Sequence, residues 1–269
     1  MNSFTSISLA TLLMCYACST NEQHNAKKNV YIKIADETLA LGNSEAALNF
    51  YNKAIEKNGP SIEALIGKIE AYIQMNKLDT AMQEINNSLK KYPNNENFKY
   101  SLGKIHLLRG NTDEAMNIFS KLNSYYKALN AIGTIYESKF EHEKARKYYI
   151  KAINANPQYA DACGNLGLSL VMSTNRIKEG IEYLERACTM PGASSTHKYN
   201  LALAYGINKE YNKALNIYEE EMNHAAAIEK VEILKKIKSK EEVEKSVVEN
   251  NAKKTHKKKS KRIKDRRLI

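Results

Sequence analysis

Few side chains in this sequence have the type and spacing to do chemistry, and the thiols come first. Four cysteines occur, Cys15 and Cys18 in an apolar N-terminal stretch and Cys163 and Cys188 far downstream. A structural zinc needs four thiolate or imidazole ligands brought together by short spacings. The histidines at 24, 106, 142, 197, 224 and 256 are scattered, with no CxxC–HxxxH pattern, so no metal is expected. Cys163 falls near the start of one predicted helix and Cys188 near the end of the next, which sets them opposite each other in an antiparallel pair. They are either two buried free thiols or, in an oxidising compartment, a disulfide. No GxxxxGK[ST] phosphate loop, HExxH or GxSxG elbow is present. Cys163-Gly164-Asn165-Leu166-Gly167 looks glycine-rich but lies inside a predicted helix with no strand before it. The expectation is a protein that binds and does not catalyse, with no catalytic residue and no cofactor.

Cys18 points to a different chemistry, acylation. Phe4 to Ala17, FTSISLATLLMCYA, is about the length of a secretory apolar region and too short to span a bilayer as a mature helix. It stops at Ala17-Cys18, and the polar run Ser19 to Asn25 follows. A small residue before a cysteine at the end of an apolar stretch resembles a bacterial lipoprotein signal, whose cysteine becomes the lipid-bearing first residue. Cys15 is the rival site, but it follows the bulky Met14. This reading gives a signal peptide at 1–18, a lipid on Cys18 and a polar tether at 19–29. The alternative is an uncleaved apolar helix on a cytoplasmic adaptor or co-chaperone whose basic C-terminal tail contacts acidic partners.

The elements that must position these groups are helices in a regular series. Only 4 prolines and 11 glycines occur in 269 residues, a composition that suits long helices. The small residues that open every second helix, Ala47, Ala81, Ala115, Ala145, Gly180 and Ala214, are separated by 34, 34, 30, 35 and 34 residues. Within units, Gly133, Tyr136, Ala145, Tyr149, Ala152 and Pro157 keep the same intervals as Ile69, Tyr72, Ala81, Ile85, Ser88 and Pro93. A 34-residue period is that of the tetratricopeptide helix pair. The expected fold is therefore all-α, a right-handed superhelical solenoid over 30–224. Its repeats fall at about 28–61, 62–95, 96–125, 126–159, 160–193 and 194–224. Small residues at Ala35, Gly103, Gly133, Gly167 and Ala202 should let paired helices approach. Tyr51, Ile85, Phe119, Tyr149, Leu184 and Tyr218, one turn after the small residue of each second helix, should fill the space between them. Pro93, Pro157 and Pro191 should end second helices. The third unit is about four residues short, which reads as a local change of curvature or as a unit of a different helical kind at Asn123 to Lys127. Residues 225–238 read as an amphipathic capping helix, and solenoids need such a terminal element.

A solenoid binds on the face lined by its first helices, where an extended peptide or a helix can lie. Asn165 and Asn200 occupy equivalent places there, two residues before Gly167 and Ala202, and an asparagine amide can hold a ligand's backbone. The same asparagine occurs in tetratricopeptide clamps for C-terminal carboxylates. Asp161 to Met172, however, contains no lysine or arginine to complete such a clamp. The net charge of +11 belongs mostly to the end of the chain: Ala252 to Ile269 holds ten Lys/Arg against Asp265 alone. Residues 239–269 read as a lysine-rich tail with too few apolar residues to pack. No aromatic interleaves its lysines, so nucleic acid is not the expected partner.

The stretch NLGLSLVMSTNRIKEGIEYLERACTMPGASSTHKYNLALAYGINKEYNKA, residues 165–214, together with the Cys18 context, resembles the TadD family of tetratricopeptide lipoproteins from tight-adherence (Flp) pilus assembly. The likeness runs from residue 1 to about 238. It implies an outer-membrane lipoprotein facing the periplasm, lipidated at Cys18. It also implies a pilotin-like scaffold for the secretin of the pilus secretion system.

Overall fold

The computed structural model describes residues 30–173 and 176–236. Among them every regular element is a helix. Residues 30–40 form α1. It is followed by α2 (Ser44–Asn58), α3 (Ile62–Gln74), α4 (Leu78–Lys91), α5 (Glu96–Leu108), α6 (Thr112–Ser120) and α7 (Tyr126–Ser138). Then come α8 (His142–Ala155), α9 (Ala160–Ser173), α10 (Ile177–Thr189), α11 (Ser195–Ile207) and α12 (Tyr211–Glu221), and residues 224–236 form α13. The chain divides into two compact units, one up to Asn123 and one from Ser124. The division falls at the irregular turn after α6, which at 9 residues is the shortest described helix.

One backbone device recurs at the turn inside the pairs. Gly42, Asn76, Gly110, Phe140 and Lys209 all take a left-handed φ, between 57° and 80°. In each case the residue's N–H bonds back three residues and the next N–H bonds back five, as Gly110 to Leu107 O and Asn111 to His106 O do. This is the Schellman closure, which satisfies the last carbonyls of a helix. Glycine enters that region freely, whereas an L side chain meets the carbonyl that follows, at about 1–2 kcal/mol. Phe140 therefore stands in a strained position, 82% exposed, against His142 alone among aromatic neighbours.

Second helices end as the prolines dictate. The last residues of α4, α8 and α10 lie two positions before Pro93, Pro157 and Pro191. The N-termini of α2, α3 and α5 are capped by Asn43, Ser61 and Asn95, whose side chains accept from Ala46, Ala64 and Phe98 N–H.

In the first unit α2 packs on α3, α3 on α4, α4 on α5 and α5 on α6, and the first helices α3 and α5 also touch. Ring against glycine sets the spacing. A Cβ at Gly103 would lie 2.4 Å from the Phe119 ring. Tyr51 differs from expectation: its ring fills the space over Gly67 of the following helix, where a Cβ would come within 2.2 Å. Its hydroxyl donates to Asp36 at 2.5 Å. The residue that makes room for Tyr51 is thus in the next pair, although Ala35 shares the same buried cluster.

The second unit repeats the plan with α7 to α12, and here α7 touches α9 and α9 touches α11, so three first helices lie side by side. Tyr149 sits over Gly133, and Leu184 over Gly167. The α13 helix closes this unit with one stripe, Ala227, Val231 and Leu234, packed on the cluster of α11 and α12. A Cβ at Gly206 would meet Leu234 at 2.4 Å, so the closing helix also sits on a glycine. Ile228 and Ile233 of the same helix are exposed.

Candidate functional site

Side by side, α7, α9 and α11 bring one asparagine each to a shared surface: Asn130, Asn165 and Asn200, at intervals of 35 residues. They line a cavity of about 310 Å³ with Asp161, Gly164, Ser194, Thr196 and His197. The Nδ2 of Asn165 donates to Oδ1 of Asn130 at 3.0 Å. A part-buried polar network ties the helices that carry two of these asparagines. On α8, Arg146, 6% exposed, donates to Ser169 Oγ on α9. That hydroxyl in turn donates to Glu137 on α7 at 3.1 Å, and Glu137 also holds His142 at 2.7 Å. A buried guanidinium without such partners would be costly, so the network fixes α7, α8 and α9 in register.

His197 organises the far side of the cavity. It stands three residues into α11, where a capping box usually places Glu or Gln, and its Nδ1 accepts the Ser194 N–H at 3.0 Å. With Nδ1 accepting, the ring proton lies on Nε2, which faces Asp161 Oδ1 at 3.3 Å. The ring is buried, and only glycine fits opposite it, because a Cβ at Gly164 would come 2.8 Å from its Cδ2. The hydrogen bond from His197 holds the Asp161 carboxyl below the usual carboxylate range, against the opposing effect of burial. Tyr159 and the charge of Lys127 add to it.

Asp161, His197 and Ser194 are the residue types of a hydrolytic triad, but their bonding serves structure. A general base needs a free ring nitrogen facing the hydroxyl. Here the nitrogen beside Ser194 accepts that residue's own backbone N–H and lies 3.0 Å from its Oγ as well, the local contacts of a capping box. Among the described residues no three of His, Cys, Asp or Glu gather to hold a metal ion. No described helix is long and apolar enough to cross a membrane.

The structure thus places Asn165 and Asn200 in one groove. The sequence reading missed Asn130, because aligning α7 on Gly133 puts Ala131 in the asparagine's place. The 35-residue interval back from Asn165 was the available signal. In the first unit the places aligned with Asn165 hold Gly67 and Ser101, and the neighbouring α3 and α5 are tied by Lys104–Glu70 at 2.7 Å. Cys163 and Cys188 stand as free thiols. Cys163 is fully buried, Cys188 packs against the α10–α12 core, and burial raises both thiols above their ordinary range. Cys18, the leader, the tether and residues 239–269 lie outside the described residues.

Pairs of antiparallel helices at a 34-residue period, with one polar groove along the first helices, define a helical-repeat scaffold. Its repeats are tetratricopeptide repeats: family models of that description match residues 38–99, 126–159 and 160–193. The chain is 29% identical over 201 residues to Protein O-mannosyl-transferase TMTC3 of Homo sapiens, covering 71% of this chain and 22% of that protein. It is 26% identical over 192 residues to the DnaJ homolog subfamily C member 3 homolog of Dictyostelium discoideum, covering 71% of this chain and 33% of that protein. It therefore spans about a fifth to a third of the length of these curated relatives. Among solved structures it is similar to yeast Tom70, with a TM-score of 0.59 at 18% identity over 79% of this chain and 47% of that one. A tetratricopeptide repeat protein from Parabacteroides merdae gives 0.53 at 13% identity, over 77% of this chain and 84% of that one. At these identities the structural likeness concerns the fold.

Proposed function

We propose that this protein is a non-enzymatic scaffold that holds an extended segment of a protein partner along α7, α9 and α11. The observation that carries this reading is the row Asn130, Asn165, Asn200 in a single cavity. Packed helices lie about 8–10 Å apart and an extended chain advances about 3.3 Å per residue. One asparagine therefore meets roughly every third residue of such a segment. Each amide offers both the acceptor and the donor that a peptide unit requires. Replacing Asn200 by Ala should weaken peptide binding by about 1 kcal/mol, roughly fivefold. Titration of the full-length protein with binding peptides, read by fluorescence anisotropy, measures this. Unchanged affinity in both Asn165→Ala and Asn200→Ala would remove the groove from the account.

We infer also where the scaffold works. Ala17-Cys18 and the likeness of residues 165–214 to the TadD family support a lipid-anchored protein on the periplasmic side of the bacterial outer membrane. There it would assist a tight-adherence pilus system, its partner being a machinery component such as the secretin. Each buried acyl CH₂ contributes about 0.8 kcal/mol, so a multiply acylated Cys18 would anchor the chain durably. Metabolic labelling with a fatty acid should mark the wild type and not Cys18→Ala. Retained label in that variant would defeat the assignment, and no label in either form would favour a cytoplasmic adaptor.

A further inference from the structure

The chain carries a net charge of +11, yet no lysine or arginine is among the residues lining the asparagine cavity. Its one carboxylate is Asp161, at the first turn of α9 with a side chain 53% exposed. One of its oxygens faces Nε2 of His197 at 3.3 Å, and Tyr159 bonds it as well. A carboxylate has about four acceptor sites, so capacity remains on the solvent side. The lowered ionisation range keeps the group charged at neutral pH. Asn165 and Asn200 line the same cavity, and Lys127, outside the lining, is the cation that acts on Asp161 most weakly of the named influences.

We propose that the Asp161 corner of this groove is a subsite for a basic side chain, so that the bound partner segment carries an arginine or lysine there. The inference rests on the reading of the groove as a peptide-holding surface. A guanidinium or ammonium has only donors to offer, and this corner supplies a half-exposed carboxylate in a cavity otherwise lined by neutral polar side chains and His197. A terminal or side-chain carboxylate would instead meet Asp161 with like charge, with no lysine or arginine among the lining residues and only the weak influence of Lys127 to relieve it.

The test uses degenerate nonapeptide pools, N-acetylated and C-amidated, whose central residue is fixed as arginine, as its neutral analogue citrulline, or as glutamate. Retention is measured on immobilised full-length protein. The arginine pool should be retained roughly two- to fivefold over the citrulline pool, the range of a partly exposed ion pair. That ratio should fall to near one in Asp161→Asn, which keeps a carbonyl oxygen for His197. Asn200→Ala should lower both pools alike. Equal retention of arginine and citrulline by the wild type, with Asn200→Ala still weakening both, overturns the basic subsite and leaves the groove standing. Retention of no pool overturns both.

Discussion

A single methyl group added at Gly167 is expected to destabilise the second unit by about 3 kcal/mol. The Cβ of Gly167→Ala would lie 2.7 Å from the backbone oxygen of Gly180, 2.8 Å from Leu184 Cγ and 3.1 Å from Leu184 N. Two of those three atoms belong to backbone, so no rotamer change relieves the contact and α9 must move away from α10. The reverse substitution meets the same obstacle, since a Cβ at Gly180 would come 2.7 Å from Gly167 O and 2.6 Å from Val171 Cγ2. Alanine's better helix propensity returns only about 1 kcal/mol. Displacing α9 would also disturb Ser169, Asn165 and Asp161, so weaker peptide binding should accompany the lost stability. Thermal or guanidinium melts followed by circular dichroism provide the measurement. Gly110→Ala is the comparison: nothing lies within 4 Å of its Cβ, and only its φ of 79° opposes the substitution. Gly167→Ala melting with the wild type would mean that the glycine-to-glycine contact does not set the spacing of this pair.

The same residues show what the sequence could reveal. The period was legible because it is enforced by sterics: each pair needs a small residue where backbones approach and a large one to fill the remaining space. Gly103, Gly133 and Gly167 could be named from spacing alone. The partner of Tyr51 could not, since a ring can fill space in its own pair or in the next, and only packing decides between Ala35 and Gly67. The groove was half legible for a related reason. Asn165 and Asn200 share a register with the packing glycine or alanine, while Asn130 sits one residue off that register and is brought in by the geometry of α7. The His197–Asp161 corner left no periodic trace, because a capping histidine and a carboxylate 36 residues earlier meet only through the packing of α11 on α9.

Phe119 and the glycine beneath its ring are expected to be strongly coupled. This ring is fully buried, its centroid 5.6 Å from that of Tyr100, and the absent side chain of Gly103 is the space it occupies. Phe119→Ala should cost the first unit about 4 kcal/mol through lost burial and the cavity left behind. Gly103→Ala alone should also destabilise it, by about 2 kcal/mol, because its Cβ would lie 2.4 Å from one ring carbon and 2.9 Å from two more. Combined, the two should not add. With the ring gone, the methyl at 103 meets no obstacle, partly fills the cavity, and contributes about 1 kcal/mol of helix propensity. The double variant should therefore be more stable than Phe119→Ala by itself, with a coupling of about 3 kcal/mol, near the upper limit for residues in direct contact. Denaturant melts of the four forms close this cycle. Simple additivity would show that Gly103 is not there to admit the ring, and that the first unit holds its helix pair together by other contacts.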